Sequence, residues 1–197
     1  MEQRPLRILI VEDEALIASG FACCLEEIGY QAPEIASTGQ EAIEFIERNQ
    51  PDLILMDINL PGMNGIATMR RVNETHDIPC IFITGYPDQQ QIIAQAEAKN
   101  VYGYLIKPVD ANDLKAVIGV TMARFRDYHH IHESLSLAQK TLEERKLVER
   151  AKGILMDAFE MKEQQAMQYL QKKSRATNKR LAVVAQEIIL MEKRINE

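Results

Sequence analysis

Apolar residues follow two rhythms along this chain. Up to about residue 110, short unbroken apolar runs alternate with stretches where apolar residues return every three or four positions. The run at 6–11 is short and continuous, as expected of a strand buried on both faces; 53–56, 79–83 and 101–106 read as further strands, and 31–36 as a weaker one. Between them, 14–28, 39–48, 65–73, 88–98 and 110–124 carry helical spacing. Gly29 ends the first of these helices, and Ala42, Ile43 and Ile46 share one side of the second. Alternation of five strands with five helices predicts an α/β fold, a five-stranded doubly wound parallel sheet with helices on both faces.

Beyond residue 110 no strand pattern returns. Tyr128, Ile131, Leu135, Ala138 and Leu142 step by 3, 4, 3 and 4, an a/d-type seam. It suits a homodimer through 125–160 or packing on the parent domain. Helical spacing continues through Val148, Ala151, Ile154, Leu155 and Phe159. Further helices are expected at about 162–176 and 179–193, the last with Leu181, Val184, Ala185, Ile188 and Ile189 on its apolar side. The chain therefore divides into an α/β domain at 1–124, a helical linker at 125–141 and a small three-helix all-α domain at 142–197.

Charge sharpens that division. Residues 1–124 carry 9 Lys/Arg against 18 Asp/Glu, and residues 125–197 carry 14 against 11, so an acidic module precedes a basic one. With 46% hydrophobic residues the chain supports a real core, which excludes a wholly disordered protein. Three cysteines without regular spacing speak against a disulfide framework. The N-terminus has no signal-peptide h-region, and no apolar stretch is long enough to span a bilayer, so a soluble cytoplasmic protein is expected.

The chemistry gathers where the strands end. Glu12-Asp13 closes one apolar run, Asp57 another, Thr84 a third and Lys107 a fourth. In open parallel sheets, ligands bind beyond the carboxyl ends of the strands. An aspartate there can attack a phosphoryl donor and become an acyl phosphate. Phosphoryl transfer needs charge neutralisation more than covalent help. Carboxylates beside phosphate oxygens suit Mg²⁺. Lys107 can meet a phosphoryl oxygen as a point charge, and the Thr84 hydroxyl can donate to another. Pro108 lacks a donor and fixes the turn after Lys107. A phosphatase of the haloacid-dehalogenase-like class would need a second aspartate two residues after the first, and Asn59 stands there instead.

Together and in order, Glu12-Asp13, Asp57 within LILMDINLPGMNG, Thr84, Tyr104 and Lys107-Pro108 make residues 6–124 resemble a receiver domain of the two-component, chemotaxis-receiver-like family, whose fold is flavodoxin-like. Glu12 stands where many members have Asp. The resemblance implies phosphorylation of Asp57 by a sensor histidine kinase and Mg²⁺ held by Glu12, Asp13, Asp57 and Asn59. It further implies phosphoryl recognition by Thr84 and Lys107, and Tyr104 as a switch. Such a chain is no enzyme beyond accepting the phosphoryl group, with slow self-dephosphorylation at most.

The basic half has its own marks. Lys172, Lys173, Arg175, Lys179 and Arg180 fall within residues 164–186, which hold no acid, and Thr177-Asn178 separates two helices there. Such a corner suits phosphate and loop contacts. Gly153 interrupts a strongly helical string at a cost of about 1 kcal/mol relative to Ala, which suggests close approach by another helix or by a ligand backbone. With Val148-Glu149-Arg150-Ala151-Lys152-Gly153-Ile154-Leu155-Met156, then Ala166, Leu170, Asn178, Leu181 and Ala185, residues from about 142 to 194 resemble the ANTAR domain of antiterminator regulators. Ser174 stands where that family usually has Ala. The resemblance implies binding of RNA hairpins in nascent transcripts and control of termination. Lys152, Gly153, Arg175, Asn178, Lys179 and Arg180 are the expected contacts. Lys152 and Asn178 come from the motif, Gly153 from its place within a helix, and the rest from charge. The competing readings are a DNA-binding regulator and a receiver with a protein-interaction output. Phosphorylation is expected to act by changing dimerisation or by releasing a masked basic face. His129, His132 and Glu133 read as a polar helix face rather than a metal clamp.

Overall fold

The computed structural model describes residues 5–85 and 100–195, with side chains to residue 192; the helix expected at 88–98 lies outside the described residues. Five strands, β1 (Ile8–Val11), β2 (Glu34–Ala36), β3 (Leu53–Asp57), β4 (Cys80–Thr84) and β5 (Val101–Ile106), form one sheet in the order β2-β1-β3-β4-β5, every pair parallel. This is the flavodoxin-like order, and it puts the topological switch point between β1 and β3.

Side chains alternate across the sheet with the strand period of two. Leu9, Val11, Ile54, Met56 and Phe82 enter one core with Ala42, Ile43 and Ile46 of α2 (Gly39–Asn49) and Ile66, Met69 and Val72 of α3 (Gly65–Val72). Ile8, Ile10, Leu53, Leu55 and Ile81 enter the other with Ala18, Phe21 and Leu25 of α1 (Ala15–Glu27) and Leu114 and Ile118 of α4 (Ala111–Phe159). All five residues of β3 and of β4 are buried, as central strands covered on both faces require. Gly103 in β5 is dictated by that packing: a Cβ there would lie 2.7 Å from Val117 Cγ1 and 3.0 Å from Ile81 Cγ1.

Local chemistry sets the helix ends. The Thr38 hydroxyl accepts from Glu41 N at 3.2 Å, and Asn64 Oδ1 accepts from Ala67 N at 2.8 Å, capping α2 and α3. The helical spacing that begins at 110 and continues through the seam to Phe159 forms a single helix: α4 runs unbroken for 49 residues, since nothing between Ala111 and Phe159 removes a backbone donor. It ends at Glu160, which takes the left-handed conformation at φ 51°.

The chain forms two compact units, 1–129 and 130–197. In the second, the end of α4 packs with α5 (Glu163–Thr177) and α6 (Leu181–Ile195) around Val148, Ala151, Leu155, Ala166, Leu170, Val184, Ala185, Ile188 and Ile189. Six helices are present among the described residues, and none of them is long and apolar enough to cross a membrane.

Candidate functional site

Each acidic or basic group in question leaves a strand at its carboxyl end; β1, β3 and β4 are buried, while the edge strand β5 before Lys107 is only half-buried. Asp57 is the last residue of β3 and Thr84 the last of β4, and both are buried. Glu12 follows β1, its N–H donating to Ala36 O at 3.0 Å, so the pairing of β1 with β2 runs one residue past the strands. Likewise Lys107 N donates to Thr84 O at 2.8 Å, which sets Lys107 beside β4. From there its ammonium donates to Asp57 Oδ2 at 2.5 Å and to Glu12 Oε2 at 2.7 Å. The Lys107-Pro108 peptide is cis. Gly65 lets α3 begin against this strand end: a Cβ on it would collide with the Asp57 carbonyl oxygen.

The electrostatics are those of a site short of positive charge. Glu12, Asp13 and Asp57 offer carboxylate oxygens within 4.8 Å of one another, and Lys107 is the only cation paired with them among the described residues. Burial raises the Glu12 carboxyl above its usual range, while the Lys107 ammonium pulls it back in part. Burial also works against the Lys107 charge, but hydrogen bonds to Asp57 and Glu12 outweigh it and raise its pKa. Among the described residues, Glu12 Oε1 is buried with no hydrogen-bond partner. An orphaned carboxylate oxygen beside two further carboxylates is a fitting place for a hard divalent cation such as Mg²⁺.

The remaining expected residues of this site take distinct places. Asn59 is exposed and donates its backbone N–H to Asp57 Oδ1 at 2.9 Å, holding the carboxylate still. Tyr104 packs against the α2/α3 core, and its hydroxyl is buried without a hydrogen-bond partner among the described residues. Burial raises its pKa.

In the second unit the expected contacts divide by what already holds them. Lys152 is 8% exposed, and its ammonium donates to Glu149 at 2.9 Å and Glu163 at 2.7 Å. These hydrogen bonds, Glu149 first, raise its pKa. It joins α4 to the first turn of α5 and is not a free cation. Lys179 is likewise paired, with Glu187 at 2.5 Å. At Gly153 a Cβ would meet nothing within 4 Å, so among the described residues no helix requires its smallness, which corrects the helix-packing alternative. Asn178 ends α5 at φ 52°, a left-handed position that Asn tolerates. Arg175 and Arg180 are exposed on either side of that turn.

The sequence did not reveal the tie across this turn, in which the Ser174 hydroxyl donates to Lys179 O at 2.6 Å. It did not reveal Glu163 as a partner of Lys152 either, although Glu149, three residues earlier on the same helix, was legible from spacing.

Comparison with known proteins matches residues 8–119 to the response regulator receiver domain and residues 137–189 to the ANTAR domain. The transcriptional regulatory protein PdtaR of Mycobacterium tuberculosis is 36% identical over 188 residues, covering 94% of this chain and 91% of that protein. The transcriptional regulatory protein DpiA of Escherichia coli is 34% identical over 142 residues, covering 71% of this chain and 61% of that protein. Among solved structures, the N-terminal domain of a response regulator/sensory box/GGDEF protein from Carboxydothermus hydrogenoformans has a TM-score of 0.58 at 32% identity, covering 63% of this chain and 99% of that one.

Proposed function

Because this chain is a response regulator in which a receiver domain precedes an ANTAR domain, we propose that phosphorylation of Asp57 controls its binding to RNA hairpins in nascent transcripts and thereby controls termination. This architecture belongs to regulators rather than to an enzyme family. We assign the receiver to 1–124, a linker to 125–141 and the RNA-binding domain to 142–197.

An Asp57 carboxylate oxygen attacks the phosphorus of a phosphohistidine on a sensor kinase. The P–N bond breaks, its electron pair stays on the imidazole, and an acyl phosphate remains on Asp57. Glu12, Asp13, Asp57 and the Asn59 position would hold Mg²⁺, which would supply charge neutralisation for the phosphoryl oxygens. The Asn59 N–H keeps the other Asp57 oxygen in place. Lys107 releases the carboxylates it now bridges and follows the new negative charge. Thr84 donates its hydroxyl to a phosphoryl oxygen, and Tyr104 moves inward as Thr84 is drawn away.

The observation that carries this reading is Lys107, whose ammonium already spans Asp57 and Glu12 at the strand ends. At the output, RNA sequence is read mainly in unpaired loops, where base edges are accessible. The exposed seam of α4 suits a second copy of this chain, so we include homodimerisation through 125–160 as part of the switch.

The test pairs two measurements on the full chain. Wild type incubated with Mg²⁺ and a small phosphodonor is expected to acquire one acid-labile, base-labile phosphate and to bind a leader hairpin more tightly. Asp57→Asn is expected to do neither. Retained labelling in the variant refutes the site, and a preference for promoter duplex over hairpin refutes the RNA output.

A further inference from the structure

A groove of about 680 Å³ runs along the second unit, between α4 and the start of α6. Its volume is in the range of sites that bury a small ligand. Val148, Met167 and Leu181 give it an apolar floor, and all three belong to or pack on the domain core. Arg145 and Arg180 line the same groove. Both are exposed, and neither side chain has an ion pair or hydrogen bond among the described residues. That distinguishes them from Lys146, Lys152 and Lys179, whose ammoniums are taken by Glu143, by Glu149 and Glu163, and by Glu187.

Two free guanidiniums over an apolar floor have a specific chemical use. A guanidinium is planar, binds a phosphate through paired N–H groups and stacks on a flat ring. The floor offers contact to a base face. Glu144 also lines the groove without a partner, and it can accept from the N–H groups of a base. Glu149 lines it too, but is engaged by Lys152. The mixture of a carboxylate with two guanidiniums favours a nucleotide over a bare run of phosphates. A base must be unstacked and unpaired to reach the floor, a condition that a hairpin loop meets and a duplex does not.

We propose that this groove takes one unpaired nucleotide of the RNA loop, with its base on Val148, Met167 and Leu181 and its phosphate against Arg145 and Arg180. The proposal rests on the RNA-binding reading above and adds Arg145, which the basic corner at 172–180 does not include. It also moves the centre of recognition away from Lys152 and Lys179, whose charges are already matched.

The experiment uses the full chain with Mg²⁺ and a small phosphodonor. A hairpin is selected by wild type from a pool with a randomised apical loop, and its fully paired stem serves as the control. Arg145→Ala and Arg180→Ala are each expected to weaken hairpin binding roughly tenfold. A lost phosphate contact is expected to flatten the log–log salt slope by about 0.7. Arg145→Lys keeps the charge without the plane, so it should lose affinity while preserving most of the slope. Ala182→Leu narrows the groove without changing charge and should weaken binding to the hairpin but not to the stem. Thermal melts confirm that each variant is folded.

Unchanged hairpin affinity in the folded variants, with wild-type binding intact, overturns the groove and leaves the RNA reading standing. So does an equal loss for hairpin and stem, which marks a general cationic surface. Loss of dimer mass with unchanged RNA affinity makes the groove a protein contact and also overturns the proposal. If wild type enriches no hairpin, the RNA reading itself fails and the proposal with it.

Discussion

Lys107 bridges two carboxylates and is the only cation paired with them among the described residues. Its side chain is 17% exposed, and those of Glu12 and Asp57 are 1% and 7% exposed, so the three charges sit in a site with little water. Removing one partner from such a cluster costs more than the cluster contributes, because the charges left behind stay buried. Lys107→Met is therefore expected to destabilise the metal-free chain by about 2–3 kcal/mol, at the lower edge of buried pairs since Lys107 is partly solvated. Mg²⁺ should restore part of this, because a ligand at 100 times its Kd stabilises the folded state by about 2.7 kcal/mol. Urea melts with and without Mg²⁺ check it; an equal loss in both would remove the metal from this site. How much of the site was legible follows from the same residues. Glu12, Asp57, Thr84 and Lys107 were readable because each ends an unbroken apolar run. The direct contact of Lys107 with Glu12, 95 residues away, was not, since it depends on the β1-β3-β4-β5 strand order and on the Lys107–Thr84 backbone bond. Lys152 shows the opposite failure: its charge was plain in the sequence, and the carboxylate across the helix junction that occupies it was not.

At the scale of elements, β1, β3 and β4 were legible because continuous burial leaves continuous apolar runs, and together with the half-buried β5 they differ from expectation only by a residue or two at their ends. The helical character of α4 was legible throughout, but its division at 124 and 141 was not a division of the backbone, since a change of packing partner along a helix changes which residues are apolar without breaking it. Two elements give direct tests. Gly153 lies within α4 with open space at its Cβ position, so Gly153→Ala should stabilise the second unit by about 0.5–1 kcal/mol through helix propensity alone. A thermal melt that falls instead of rising would show that the position is crowded. The start of α5 is tied to α4 by Glu163, whose pKa is lowered by its hydrogen bond to Lys152. A carboxylate with a depressed folded pKa contributes stability above its unfolded pKa, about 4.3, and loses it as pH falls through the folded value. Glu163→Gln should thus be less stable than wild type at neutral pH, with the difference vanishing in acid. Paired denaturation curves across that range read it, and a difference that persists when Glu163 is protonated would assign the loss to packing.

For the whole molecule, the question is how one phosphoryl group at Asp57 alters a domain built around a different core. The phosphoryl adds about −1.5 to −2 charges at neutral pH. Complete reversal of a two-state equilibrium, from 1:99 to 99:1, would need about 5.5 kcal/mol of differential stabilisation. Association of two copies lowers what the receiver must supply, because the contact itself stabilises the active state by mass action. The α4 surface has the means: Ile131, Leu135 and Leu142 are 64%, 52% and 53% exposed, on one stripe at a/d spacing. Apolar residues repeated on one side of a helix gain most from a second helix carrying the same stripe. Leu135→Glu puts a charge into that seam without touching either core. It is expected to hold the phosphorylated chain at monomer mass in light scattering, while Asp57 still accepts phosphate at the wild-type rate. Hairpin affinity should fall together with the dimer and return when concentration is raised enough to restore it. Dimer mass that survives Leu135→Glu would place association elsewhere on the molecule. Hairpin affinity that survives loss of the dimer would mean that each copy reads RNA alone, so that phosphorylation acts within one chain.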